Sequence, residues 1–267
     1  MMETSYLAGK KVGEGQIEAW TEEFYREGCL FLRNVLPPDW TAELRADLEF
    51  ALRENPNGLN NQSHRAHLAH RLFETSAANL RLFAMEPMIS LAEAIIGPDC
   101  HVIHNNSFIS PPGGGLEGWH QDDRPHYIVT DGEPPANVHL PVLFFTANYY
   151  LTDVTEIEHG GTETVPRSHL FGVSPPRQLD GTEWEDGIQY NLGPAGSVVL
   201  FNNQVWHQGG ANRSQRVRYI TQVTYGRRII GHKYYPFMNY SMPEHVYDGA
   251  DERLRRVLGF LPHGSYG

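Results

Sequence analysis

The sequence predicts a mainly β fold with flanking helices, its strands forming a double-sheet core. Three observations carry this. Beyond Cys100 the chain breaks into short segments rich in β-branched and aromatic residues, at 101–110, 140–152, 162–169, 196–203 and 218–226. Turn clusters separate them, among them GGG at 113–115, DGEPP at 131–135, HGG at 159–161 and NLGPAG at 191–196. Helical periodicity is confined to the first hundred residues and to the tail. Short strands at such spacing build a sandwich or barrel rather than alternating βαβ units.

The elements follow in order. Residues 1–15 are a polar, glycine-containing arm. Ile17, Trp20, Phe24 and Tyr25 recur at helical spacing, and Gly28 is placed to cap that helix. CLFLRNVL (29–36) reads as a strand that Pro37-Pro38-Asp39 stops. The same residues start a helix through Trp40, Leu44, Leu48 and Leu52. NPNGLNN (55–61) is a turn cluster. His64, His67 and His70 have helical spacing but no carboxylate at a matching offset, which suits a solvated or substrate-facing helix better than a metal site. One helical stretch is expected over 76–96, closed by Gly97-Pro98, and another around Leu254, Val257 and Leu258. A single domain over 1–267 is expected: a mostly helical part (1–100), the β core (101–226) and a C-terminal extension (227–267).

Composition narrows the function. Net charge is −11, and lysine occurs only at positions 10, 11 and 233. The basic footprint of a nucleic-acid or anionic-membrane binder is missing, so neither partner is expected. Cys29 and Cys100 are far apart and form no CxxC pair, which argues against a disulfide scaffold or a cysteine zinc site; they read as buried small hydrophobes. An apolar signal core and a run of about 18 apolar residues are both lacking, which points to a soluble, cytoplasmic protein. No sequence feature selects an oligomeric state.

The chemistry concentrates at GWHQDD (118–123). On an extended segment residues i and i+2 share a face, so His120 and Asp122 present an imidazole and a carboxylate to one point. That is two-thirds of the two-His-one-carboxylate triad that leaves positions open on a non-haem Fe(II). His207, after an apolar strand and before a glycine pair, is the candidate third ligand. Eleven residues on, Arg218 offers a guanidinium able to grip a carboxylate at two points. Arg216 has the same strand parity and competes on periodicity alone.

With these motifs in order, the chain resembles the phytanoyl-CoA dioxygenase family of Fe(II)/2-oxoglutarate oxygenases over nearly its whole length. FYREGCLFLRNVLPPDWTAELRADLE (24–49) looks like the family's opening helix–strand–helix. WHQD (119–122) is similar to its proximal motif, and GSVVLFNNQVWHQGGANRS (196–214) with Arg218 to its distal motif. GGTETVPRSH (160–169) is similar to a segment ending in Pro-Gly-Ser-His, with Arg167 in place of the glycine. The resemblance implies a double-stranded β-helix (jelly roll). It implies Fe(II) held by His120, Asp122 and His207, 2-oxoglutarate whose far carboxylate pairs with Arg218, and O2 as oxidant. Family spacing favours Arg218 over Arg216.

The activity so implied is oxidation, most often hydroxylation, of a C–H bond in a small-molecule metabolite, as in natural-product biosynthesis, with release of succinate and CO2. Tyr149 falls where the family often places an aromatic near the co-substrate. His104 and Asn106 share a strand face from which either reaches it. Gly209 stands where a serine often contacts the co-substrate, leaving one hydrogen bond without a donor. Asp123, Arg124, His126 and Tyr127, just after the ligands, are candidates for touching the substrate. The insertion 174–195, with Trp184 and Tyr190, reads as either a lid or a surface loop, and 229–243 as a segment able to close the pocket.

Other readings are weaker on the same residues. A halogenase would replace Asp122 by glycine or alanine to free a site for chloride. A binding protein without catalysis would be expected to lack a ligand or the arginine. A three-His-one-Glu site would need another histidine and a glutamate, for which only Glu117 is near. Desaturation and cyclisation share the oxidant with hydroxylation and stay open.

Overall fold

The computed structural model describes residues 5–54, 66–133, 137–233 and 239–260. Helix α1 (Glu14–Glu27) ends where expected: Gly28 adopts φ 74° and its N–H donates to the Phe24 carbonyl at 2.7 Å. A Cβ at Gly28 would stand 2.4 Å from both His169 Nδ1 and Val205 Cγ2, so backbone conformation and packing both demand glycine there. Strand β1 (Cys29–Leu32) follows, then α2 (Pro38–Glu54), with proline in its first turn and Leu44 and Leu48 buried. The turn cluster expected at 55–61, and His64, lie outside the described residues.

Two expectations for this region are corrected. His67 and His70 are not helical: they bound strand β2 (His67–His70), whose backbone pairs with the strand that follows the helices. The stretch 76–96 is two helices, α3 (Ala77–Phe83) and α4 (Met88–Ile96). Pro87 breaks it, because proline has no N–H to give and disfavours helical backbone in the residue before it. Ser76 caps α3 by accepting from Asn79 N–H at 3.0 Å.

The remaining strands are β3 (His101–Ser110), β4 (Leu116–His120), β5 (Phe144–Tyr150), β6 (Thr162–Val165), β7 (Gln189–Tyr190), β8 (Val198–Asn202), β9 (Trp206–Gly209) and β10 (Arg218–Gly226). They form a six-stranded sheet in the order β1-β8-β5-β10-β3-β2 and a four-stranded sheet in the order β4-β9-β6-β7. Their pairings are antiparallel. This is the double-stranded β-helix that the sequence predicts.

Alternation along the six-stranded sheet positions the site. Phe145, Ala147 and Tyr149 of β5 and Val223 and Tyr225 of β10 join Phe24, Leu44, Leu82 and Leu91 in the principal core, between sheet and helices. Their neighbours Thr146, Asn148, Gln222 and Thr224 turn to the opposite face, between the sheets, and line a cavity. The interior wall is polar, the reverse of what a plain sandwich would bury.

The insertion 174–195 is a packed cover of the four-stranded sheet. Leu179, Trp184 and Ile188 pack with Trp119, Val165 and Trp206, and Trp184 meets Trp206 edge-on at 5.0 Å. In the extension, α5 (Glu244–Tyr247) and α6 (Glu252–Val257) follow a segment of which 234–238 lies outside the described residues. Arg253 ties α6 to the α4 region through Glu86 at 2.5 Å and Glu93 at 2.6 Å, and Arg256 also pairs with Glu93. Among the described residues no helix is long and apolar enough to cross a membrane.

Candidate active site

Strands β4 and β9 lie side by side with His120 directly opposite His207. The two imidazole rings are 4.3 Å apart, and Asp122 Oδ1 is 3.6 Å from His207 Nε2. One ligand atom from each of His120, Asp122 and His207 lies within 4.8 Å of the others, the one such metal-capable cluster among the described residues. Asp122 is just past the end of β4, where its N–H donates to the Asn203 carbonyl at 2.9 Å.

Both histidines are set by the same local device. His120 Nδ1 faces the Gly118 carbonyl at 2.9 Å and His207 Nδ1 faces the Val205 carbonyl at 2.8 Å. A carbonyl only accepts, so each Nδ1 carries the proton and each Nε2 keeps its lone pair for a metal. Burial pushes His207 down to about 4, against the opposing pull of Asp122, so the ring is neutral and ligand-ready at neutral pH.

A cavity of about 220 Å³ runs from these residues along β3 and β10. Its closed end holds Arg218, only 3% exposed, whose Nη1 donates to the Gly210 carbonyl at 3.1 Å and Nη2 to Ser110 Oγ at 2.9 Å. Arg218 Nε has no partner among the described residues, nor does any carboxylate pair with the guanidinium. Burial lowers Arg218 to about 10, which leaves it charged at neutral pH. Asn106 Oδ1 and Asn148 Oδ1 are also buried and unpartnered. Each such atom costs about 1–3 kcal/mol unless a ligand or water completes it. A buried guanidinium with an unused Nε donor, beside a His-His-Asp cluster, fits a metal-chelating dicarboxylate, while the two amide oxygens call for a donor such as water or a substrate hydroxyl.

The other candidates divide. His104 and Asn106 line the cavity on one face of β3. Burial, then Lys233 and His70, push His104 down to about 4. Tyr149 does not line it: the side chain is on the helix-facing side of β5, fully buried in the principal core, and its hydroxyl has no partner among the described residues. One residue along β5 inverts the face, so Asn148 holds the place expected of Tyr149. Arg124, His126 and Tyr127 also lie outside the cavity wall. Gln204 holds their loop, accepting from His126 N–H at 2.8 Å and donating to the Arg124 carbonyl at 3.2 Å, while the Tyr127 hydroxyl bonds the Leu170 carbonyl. Arg216, the competitor of Arg218, is exposed and 3.7 Å from Asp153.

Several residues at the site escaped the sequence reading. Ser110 supplies the hydroxyl next to Arg218 that Gly209 lacks, and a Cβ at 209 would already press within 3.2 Å of Leu116 Cβ. The parity of His104 and Asn106, extended through Phe108, reaches Ser110. Asn148, Gln222 and Thr224 were legible as polar residues in alternation with aromatic and β-branched ones. Lys233 was not: it follows β10 in an irregular segment, pinned by its N–H to the Ile103 carbonyl at 2.7 Å, with Nζ 4.4 Å from the Phe144 ring centre.

Comparison with known proteins agrees with this geometry. Residues 24–220 match the family model described as phytanoyl-CoA dioxygenase (PhyH), a span that contains the whole cluster and Arg218. The chain belongs to the phytanoyl-CoA dioxygenase family. As a member it is an Fe(II)- and 2-oxoglutarate-dependent dioxygenase, with O2 as the further co-substrate. A similar relative is an ectoine dioxygenase of Stutzerimonas stutzeri, 26% identical over 227 residues, covering 74% of this chain and 72% of that protein. Among solved structures, the epimerase SnoN in complex with Fe3+, alpha-ketoglutarate and nogalamycin RO has a TM-score of 0.61 at 20% identity, covering 83% of this chain and 88% of that one. HygX from Streptomyces hygroscopicus, with nickel, 2-oxoglutarate and hygromycin B bound, has a TM-score of 0.63 at 15% identity, covering 84% and 90%. These likenesses extend the family's fold to both.

Proposed function

We propose that this dioxygenase hydroxylates a C–H bond of a small polar metabolite, with succinate and CO2 as co-products. One observation carries the reading: a His-His-Asp cluster within 4.8 Å shares one cavity with a buried arginine that no carboxylate among the described residues pairs. His120, Asp122 and His207 would hold Fe(II), and Arg218 with Ser110 would receive the far carboxylate of 2-oxoglutarate. When bound, the iron and its co-substrate supply the two-electron oxidation of the C–H bond.

The chain's own residues do the rest. The Gly118 and Val205 carbonyls keep both imidazoles in the tautomer that leaves Nε2 free. Phe108 and Ile220 are the apolar wall beside Arg218, and Phe201 packs on the His207 ring at 4.2 Å. Asn106, Asn148 and Gln222 present amides to whatever enters. Thr146, Thr224, His104 and Lys233 form the mouth, where the exposed ammonium favours a substrate carrying an anionic group. The relatives' ligands, ectoine in one name and hygromycin B in one structure, support a polar small molecule over an acyl chain. The retained carboxylate of Asp122 supports oxygenation over halogenation. A single catalytic domain of helical, β-core and C-terminal parts accounts for these roles.

The test is an anaerobically reconstituted enzyme screened for metabolite-dependent succinate release. Asp122→Ala is expected to abolish both iron retention and succinate. Turnover persisting in that variant would remove Asp122 from the ligand set and the reading with it.

A further inference from the structure

Between the two ligand strands the ladder is irregular. Four steps along β4, from Leu116 to His120, face two steps along β9, from Gly209 to His207. The surplus is absorbed at Gly118, whose φ of 116° belongs to the region that favours glycine. Gly118 is also the residue whose carbonyl holds His120 Nδ1. The most deformable link in β4 therefore orients one of the three ligands, and something must hold it.

A side chain does so. Gly118 N–H donates to Gln208 Oε1 at 2.9 Å, and Gln208 Nε2 donates to Glu163 Oε2 at 2.7 Å. Glu163 and Gln208 are direct partners across β6 and β9, and Glu163 is only 9% exposed. Glu163 is itself walled in, since a Cβ at Gly210 would lie 2.4 Å from its Oε1. A carboxylate accepts only, so it forces the amide nitrogen of Gln208 toward itself and the amide oxygen toward Gly118. The chain of bonds runs Glu163, Gln208, Gly118, His120.

We propose that Gln208, oriented by Glu163, is a positioning residue for His120: it anchors the peptide group leading into Gly118, and so the bulge whose next carbonyl holds His120 Nδ1, and thereby aims His120 Nε2 at the point shared with Asp122 and His207. The inference rests on the reading of His120 as a metal ligand. Partners of this kind are worth about 10- to 100-fold in metal affinity.

The experiment uses Co(II) as the probe, titrated anaerobically into the full-length apoprotein. The readouts are the visible Co(II) spectrum and the dissociation constant, with circular dichroism to establish folding. Gln208→Leu is expected to weaken Co(II) binding at least about tenfold and to change the spectrum. The double variant Glu163→Gln/Gln208→Glu reverses the donor and acceptor but still offers an oxygen to Gly118 N–H, and is expected to restore affinity to near wild type. Wild-type affinity in Gln208→Leu overturns the proposal, as does a folded double variant that binds no better than Gln208→Leu. Should Gln208→Leu not fold, the double variant alone decides, by binding Co(II) near wild type or failing to. A wild-type protein that takes up no Co(II) would refute the metal-site reading instead.

Discussion

Replacing Arg218 by methionine separates the cost of a buried cation from its use. Burial lowers the arginine from the ordinary guanidinium range to about 10. At about 1.4 kcal/mol per decade this is on the order of 3 kcal/mol against the charged form in the protein without co-substrate. Methionine removes that penalty and fills similar volume, but it leaves the Gly210 carbonyl and the Ser110 hydroxyl without their donor. Two such losses cost about 1–3 kcal/mol each. The terms largely offset, so the stability of the apoprotein is expected to change by no more than about 3 kcal/mol. Co-substrate binding has no such compensation. Truncating one partner of a buried charge pair costs about 2–5 kcal/mol, a loss of roughly 30-fold to several thousand-fold in affinity. Calorimetric titration of 2-oxoglutarate into metal-loaded protein reads the second quantity, and urea unfolding reads the first. Arg216→Met is the control and is expected to leave both unchanged. An affinity for 2-oxoglutarate within about threefold of wild type in Arg218→Met would show that the far carboxylate sits elsewhere.

Two further outcomes follow from burial. Tyr149→Phe deletes a buried hydroxyl that has no partner among the described residues, so it is expected to leave the Michaelis constant for 2-oxoglutarate unchanged and stability equal or higher by up to about 1 kcal/mol; a large rise in that constant would return Tyr149 to the site. His104, His169 and His207 are each pushed by burial from 6.5 to about 4, so the unfolded chain takes up their protons first. Stability of the apoprotein is then full above about pH 6.5 and is lost as pH falls toward 4; urea midpoints across that window should fall less steeply in His169→Gln, and an unchanged slope would count against the assignment.

The sequence disclosed the site in proportion to how local its geometry is. His120 and Asp122 were legible because an extended segment repeats every two residues. His207 and Arg218 were legible through the motifs around them. Helix breaks were missed where a single residue decides, as at Pro87, and β2 was missed because histidines at 67 and 70 satisfy a helical spacing while pairing as a strand. Tyr149 was misplaced by one residue, and on a strand one residue is the difference between the core and the cavity. The bulge in β4 was illegible, since nothing local marks Gly118 as the residue that absorbs it. Ser110 was reachable by extending the parity of His104 and Asn106 to the end of the strand.

The architecture divides the work between its sheets. The four-stranded sheet carries His120 on β4 and His207 on β9, each ring fixed by a backbone carbonyl two residues upstream, with Gln208 and Glu163 bracing that backbone at Gly118. The six-stranded sheet carries Arg218, hydrogen-bonded to Ser110, toward one end of the cavity and His104, Thr146 and Thr224 toward the other. Arg218 and Thr224 are six residues apart on one strand, about 20 Å at about 3.3 Å per residue. Substitutions at the mouth are therefore a long way from the arginine. Lys233, outside both sheets and held by one backbone bond to Ile103, can change without disturbing either. Exchanging Lys233 or His104 is therefore expected to change which substrates stimulate succinate release while leaving the affinity for 2-oxoglutarate within about threefold, which calorimetric titration checks.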